Sequence, residues 1–146
     1  MRIILTTTLA AMLLAPMASA ASAFTAINGL AVQPRSDGMF EVVASGGDGP
    51  SQIWCAAGQF ARQAQRVGGN DRIFIVEPYG PSRSNPGYRA VVFTTRPSSA
   101  LANGPTLGTD GDYSVSLRKI GFNLRVAHAE RFCDDVFEEV TERWRF

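Results

Sequence analysis

The chain has two cysteines and one histidine, and the placement of the cysteines constrains the fold more than any other feature. Cys55 lies in I53-W-C-A-A-G-Q-F-A-R-Q-A-Q-R66 and Cys133 in R131-F-C-D-D135, each within a stretch of helical periodicity. On a helical wheel with Ile53 at zero, Ala57, Phe60, Ala64 and Val67 fall within about 40° of it. Cys55 falls near 200°, beside Arg62 and Arg66, so it lies off the stripe that would pack on a sheet. Cys133 is different. Ala129, Phe132, Cys133, Val136, Phe137, Val140 and Trp144 share an arc of about 140°, with Glu130, Asp134, Glu138 and Glu142 on the opposite side. A last helix that buries Cys133 against the back of the first would bring the two sulfurs together.

The N-terminus supplies a reason for those sulfurs to bond. M1-R-I-I-L-T-T-T-L-A-A-M-L-L14 is one positive charge followed by an apolar run, and P16-M-A-S-A20 adds a helix breaker and an A-x-A cleavage pattern. This reads as a secretory signal peptide over residues 1–20, with a second cut point after Ala23. The apolar run is shorter than the roughly 20 residues a membrane span needs. No cysteine follows either cut, which speaks against a lipid anchor. Residues 21–146 then form a single globular domain, expected to be exported, periplasmic or secreted. An exported chain with two cysteines usually oxidises them. A Cys55–Cys133 bridge is therefore expected, worth about 4–5 kcal/mol in the chain-entropy account.

Charge narrows the partners. Lys and Arg number 14 against 13 Asp and Glu, and loss of Arg2 with the signal leaves the two counts equal. The arginines are scattered, without the basic face that nucleic acid or an anionic membrane surface demands. No other apolar stretch is long enough to span a membrane.

Along the chain, residues 24–34 read as an arm or edge strand and F40-E-V-V-A-S45 as a strand. A helix runs from Ser51, a fair N-cap, to about Val67, with Gly68-Gly69 ending it. R72-I-F-I-V-E-P78 and Y88-R-A-V-V-F-T-T95 are strands apolar on both faces, so both faces must be covered. Between them, Y79-G-P-S-R-S-N-P-G87 is a hairpin loop. After a long loop from Arg96 to Asp112, Y113-S-V-S-L117 and I120-G-F-N-L-R-V126 alternate at period two and read as short strands. The last helix starts near Ala127. The order is β-α-β-β-β(β)-α. The class is α+β: an antiparallel sheet of four to five strands with two packed helices and one disulfide.

Chemistry-bearing motifs are sparse. S45-G-G-D-G-P-S51 leads into a helix, but neither a G-x-x-x-x-G-K-[ST] nor a G-x-G-x-x-G pattern is present, and it reads as a turn. G108-T-D-G-D-Y113 lacks the remaining calcium ligands and also reads as a turn. Asp134-Asp135 and Glu138-Glu139 read as a solvated helix face. Two cysteines and one histidine lack the ligand pairs of a zinc site, so no metal is expected, nor any cofactor. Redox chemistry normally uses C-x-x-C, and Cys55 is followed by Ala, Ala and Gly58. A thiol-dependent hydrolase using Cys55 and His128 remains the alternative, since Cys55 lies near a helix start and His128 follows the strands. Tyr79, Arg83 and Tyr88 on the hairpin are the candidate partner contacts, Tyr and Arg being enriched where proteins meet. The terminal R143-W-R-F146 is a weaker one.

W54-C-A-A-G-Q-F-A-R, R72-I-F-I-V-E-P-Y-G-P-S and L124-R-V-A-H-A-E-R-F-C133 together resemble small exported alphaproteobacterial proteins of unassigned activity. The resemblance implies an exported, disulfide-linked domain and carries no catalytic residue. The expected function is binding of an exported protein or small ligand, without catalysis; nucleic acid is not expected as a partner.

Overall fold

The computed structural model describes residues 23–135 and 138. The signal segment 1–20, the distal apolar stripe Val136 to Trp144 and the terminal R143-W-R-F146 lie outside them. Six strands form one antiparallel sheet: β1 (Phe24–Thr25), β2 (Ala31–Pro34), β3 (Met39–Ala44), β4 (Arg72–Pro81), β5 (Arg89–Thr94) and β6 (Asn123–Arg125). Their order across the sheet is β1-β2-β3-β5-β4-β6, every neighbour antiparallel. Helices α1 (Pro50–Gln63), α2 (Ser99–Ala102) and α3 (Val126–Arg131) complete an α+β fold.

Among the described residues the strands number six rather than the expected four to five, and a four-residue helix, α2, joins the two expected ones. The expected N-terminal arm is a true hairpin. Gly29, at φ 83°, makes the turn, where a side chain would be strained. Ala26, Leu30 and Val32 are buried beside it. A strand at Tyr113–Leu117 does not form. That segment stays a loop, and only Asn123–Arg125 enters the ladder. Isolated bonds from Tyr79 N to Leu117 O (2.9 Å), Gly121 N to Ile75 O (2.8 Å) and Ile75 N to Phe122 O (3.0 Å) lead the chain along the β4 edge. The hairpin loop is also shorter than expected, because β4 continues to Pro81 and takes Tyr79 with it.

Helix α1 starts at Pro50, not Ser51. Proline suits the first helical position, and the Gln52 side chain reaches back to accept from Gly49 N at 2.7 Å. It ends at Gln63 rather than Val67. Arg66 turns left-handed at φ 56°, and Val67 N donates to Ala61 O at 3.1 Å, closing the end.

One sheet face packs on α1. A line of aromatic rings crosses it: Phe24, Phe60, Phe40, Phe93, Trp54 and Phe122, with successive centroids 4.6–5.9 Å apart. Such contacts add to the area they bury. Behind α1, α3 packs on the seam Cys55, Gly58 and Arg62, residues at helical spacing. Cys55 and Cys133 are bonded there, with Cα atoms 5.0 Å apart. A Cβ on Gly58 would stand 2.8 Å from Glu130 N and 3.0 Å from the Ala129 Cβ, so the two helices touch backbone to backbone. Arg62 closes the seam on the Glu130 carboxylate at 3.0 Å. Cys55 thus faces neither solvent nor sheet, as its position on the wheel required, and is fully buried.

The opposite face is also covered. Glu41, Val43, Phe74, Val92, Thr94 and Asn123 are each at most 5 % exposed. The covering is not a second helical layer. The hairpin tip folds onto Glu41, Arg35 and Arg83 converge on Glu77, and α2 with its following loop packs on β4 and β6.

Candidate functional site

A cleft opens where β4 ends. It has a volume of ≈ 460 Å³ and is bordered by three segments: the turn into α1 (Asp48, Pro50), Tyr79 of β4, and the loop from Asp112 to Lys119. Pro50, Tyr79, Val115 and Leu117 provide apolar lining. Asp48, Asp112, Arg118 and Lys119 bring charges of both signs. The antiparallel order accounts for the gathering. Ala44 at the end of β3 pairs with Arg89 at the start of β5, and Arg89 pairs with Pro81. The turn into α1, the hairpin tip and the 112–119 loop therefore share one end of the sheet.

Each wall is held locally. Asp48 Oδ2 accepts from Ser45 N at 2.7 Å and Ser45 Oγ at 2.9 Å, which shapes the turn. Lys119 Nζ donates to Asp112 Oδ2 at 2.8 Å. That ammonium, followed by the Ser114 amide on Oδ1, draws the Asp112 carboxyl down to about 2. The Trp54 indole N–H donates to Ser116 O at 3.0 Å, tying the loop to the buried core beneath it.

The three hairpin residues are placed differently from one another. Tyr79 packs against the helix-side core and lines the cleft, and the Arg89 guanidinium lies 4.8 Å above its ring, a cation–π distance. Arg83 turns to the other face and pairs with Glu77 at 3.1 Å, its side chain 67 % exposed. Tyr88 is 54 % exposed on the tip. Tyr113 and Ile120, on or beside the cleft loop, are also largely exposed.

The tip itself rests on a buried carboxylate. Glu41 is 1 % exposed, and its Oε1 accepts from the hydroxyls of Ser82 and Ser84 and, at 3.4 Å, from Ser84 N. Burial pushes this carboxyl up. The two hydroxyls and the amides of Ser84 and Arg83 outweigh that and hold it below its ordinary value. Its Oε2 is buried without a hydrogen-bond partner, as is Arg35 Nη1, which reaches Glu77 only at ion-pair distance. Sequence reasoning passed over Glu41, although a charged residue between Phe40 and Val42 in a strand beside doubly covered ones was the available signal.

Cys55 and His128 do not form a catalytic pair in this arrangement. The Cys55 sulfur is spent in the disulfide. The His128 ring lies 5.4 Å from that of Phe132 and lines a separate cleft with Arg72 and Arg125. Among the described residues, no group of three or more His, Cys, Asp or Glu side chains is placed to hold a metal, and no helix is long and apolar enough to cross a membrane. No protein-family model, no curated protein and no solved structure matches the chain.

Proposed function

We propose that the protein is an exported binding domain whose contact surface is the sheet end formed by the cleft and the hairpin tip, with Tyr79 in the cleft and Arg83 and Tyr88 on the tip. The observation that carries this reading is the convergence of three chain segments on a cleft with apolar walls and charges of both signs. Its volume lies in the ~300–1,000 Å³ range of ligand sites. Exposed aromatic rings beside such a cleft suit contact with a segment of another exported protein, since Tyr and Arg dominate contact energies. The disulfide supports export, because such bonds persist in oxidising compartments.

Trp54 gives a direct readout, because its indole hydrogen-bonds to the cleft loop. In a Trp144→Phe background, the mature chain is titrated with fractions of its own periplasmic extract. Binding is expected to change Trp54 emission, and Arg83→Ala with Tyr88→Ala, both exposed on the tip, to abolish the change at a nearly unaltered melting temperature. An unchanged response in that variant overturns the assignment of the surface. The thiol-hydrolase alternative predicts a native thiol that reacts with iodoacetamide. A native mass two hydrogens below the reduced chain, with no alkylation, rules it out.

A further inference from the structure

Arg72 opens β4 and Arg125 closes β6, and the two stand directly opposite one another in the antiparallel ladder. Like charges so placed repel and weaken the pairing. Arg35, Arg62 and Arg83 each have a glutamate within 4 Å, at 3.8, 3.0 and 3.1 Å. Neither Arg72 nor Arg125 pairs with a carboxylate among the described residues. Between them opens a cleft of ≈ 320 Å³ lined by Arg72, Thr106, Leu107, Leu124, Arg125 and His128, and no acidic side chain lines it. It lies at the far end of β4 from the cleft at Tyr79.

Arg72 is also aimed. Its Nε donates to Asn123 Oδ1, and its Nη2 reaches the Asn123 carbonyl at 3.4 Å. Asn123 is itself 2 % exposed. Its amide nitrogen donates to the carbonyls of Gly104 (3.3 Å), Pro105 (3.2 Å) and Gly121 (2.9 Å), which leaves only its oxygen for Arg72. A buried asparagine fixed by three carbonyls thus holds one guanidinium in place, with Nη1 left over. Partial burial, then the Arg125 charge, holds the Arg72 guanidinium below its ordinary value, as expected of a cation still lacking its counter-charge.

We propose that this cleft binds a phosphate group, free or as a small organic ester, between Arg72 and Arg125, with Asn123 as a positioning residue. Two guanidinium forks offer donors for more than the two oxygens of a carboxylate, and two positive charges match a phosphate near its dianionic form. Thr106 adds a hydroxyl, while Leu107 gives an apolar wall for the organic part of an ester.

The mature chain is titrated with inorganic phosphate, with sodium chloride at matched ionic strength and with phenyl phosphate, following the melting temperature and binding heat. Phosphate is expected to raise the melting temperature with concentration, where chloride does not. Arg125→Gln is exposed enough to fold. It is expected to weaken phosphate binding at least tenfold and, without phosphate, to melt at or above the parent temperature because a repulsion has gone. Tighter binding of phenyl phosphate than of inorganic phosphate marks an ester as the ligand, and equal binding marks the free anion; both support the site. The proposal is overturned by equal responses to phosphate and chloride. It is also overturned by undiminished binding in Arg125→Gln, or by a melting temperature for that variant that falls equally with and without phosphate.

Discussion

The two faces of the sheet are closed by different physics. On the α1 side, six aromatic rings, a touching pair of helices and a covalent bond exclude water. On the other side the cover is a folded-back hairpin tip resting on a buried glutamate, together with arginines gathered on Glu77. The first closure depends on shape and a covalent bond, with one solvent-exposed ion pair, Arg62 to Glu130, at its rim. The second rests on a buried carboxylate. A single sheet therefore carries one face whose closure owes little to charge and one that acid loosens.

That contrast can be broken at four points, from the largest expected effect to the smallest. Replacing both cysteines by alanine should lower unfolding free energy by about 4–5 kcal/mol, equally at pH 7 and pH 4. Urea titration of the parent and the double variant checks this, and an unmoved midpoint would remove the bridge from the account. Gly58→Val should lower it by about 2–3 kcal/mol through overpacking, because its side chain would enter the space of Ala129 and Glu130; thermal unfolding at the same two pH values should show the same loss.

Glu41→Gln acts on the other face and should cost about 1–2 kcal/mol at pH 7, since the charge-assisted bonds to Ser82 and Ser84 are weakened. The sign with pH follows from the lowered folded-state value. The stabilisation is fully present above the unfolded value of 4.5 and is lost as pH falls through the lower folded value. The gap between parent and variant should therefore close below about pH 4.5. A gap constant from pH 7 to pH 3 would show that Glu41 acts by shape alone. Arg83→Ala should change stability least, by under about 1 kcal/mol, because its pair with Glu77 is solvent-exposed. A larger loss would make the tip a structural brace.

Much of the first face was legible in the chain. Periodicity placed Cys55 off the sheet-packing stripe and Cys133 on one, and only an α3-over-α1 arrangement reconciles the two. The second face was legible as a requirement, since strands apolar on both sides need cover, but not as a solution. Ser82 and Ser84 look like loop residues until the tip folds back, and nothing local announces that fold. Val115 and Leu117 alternate like a strand, yet they turn their side chains toward the core from a loop that meets β4 through a single bond, Tyr79 N to Leu117 O. Alternation reports which residues face inward, not whether the backbone pairs. Two-residue β1 is too short to show any period. The opposition of Arg72 and Arg125 depends on the register between strands about fifty residues apart, which no local pattern encodes.

Gly58 decides how closely the two sulfur-bearing segments can lie. A side chain there would press on the backbone of Ala129 and Glu130, and the bridge from Cys55, three residues back on the same seam, would have to yield with it. A position that carries no side chain thus governs the geometry of the one covalent cross-link.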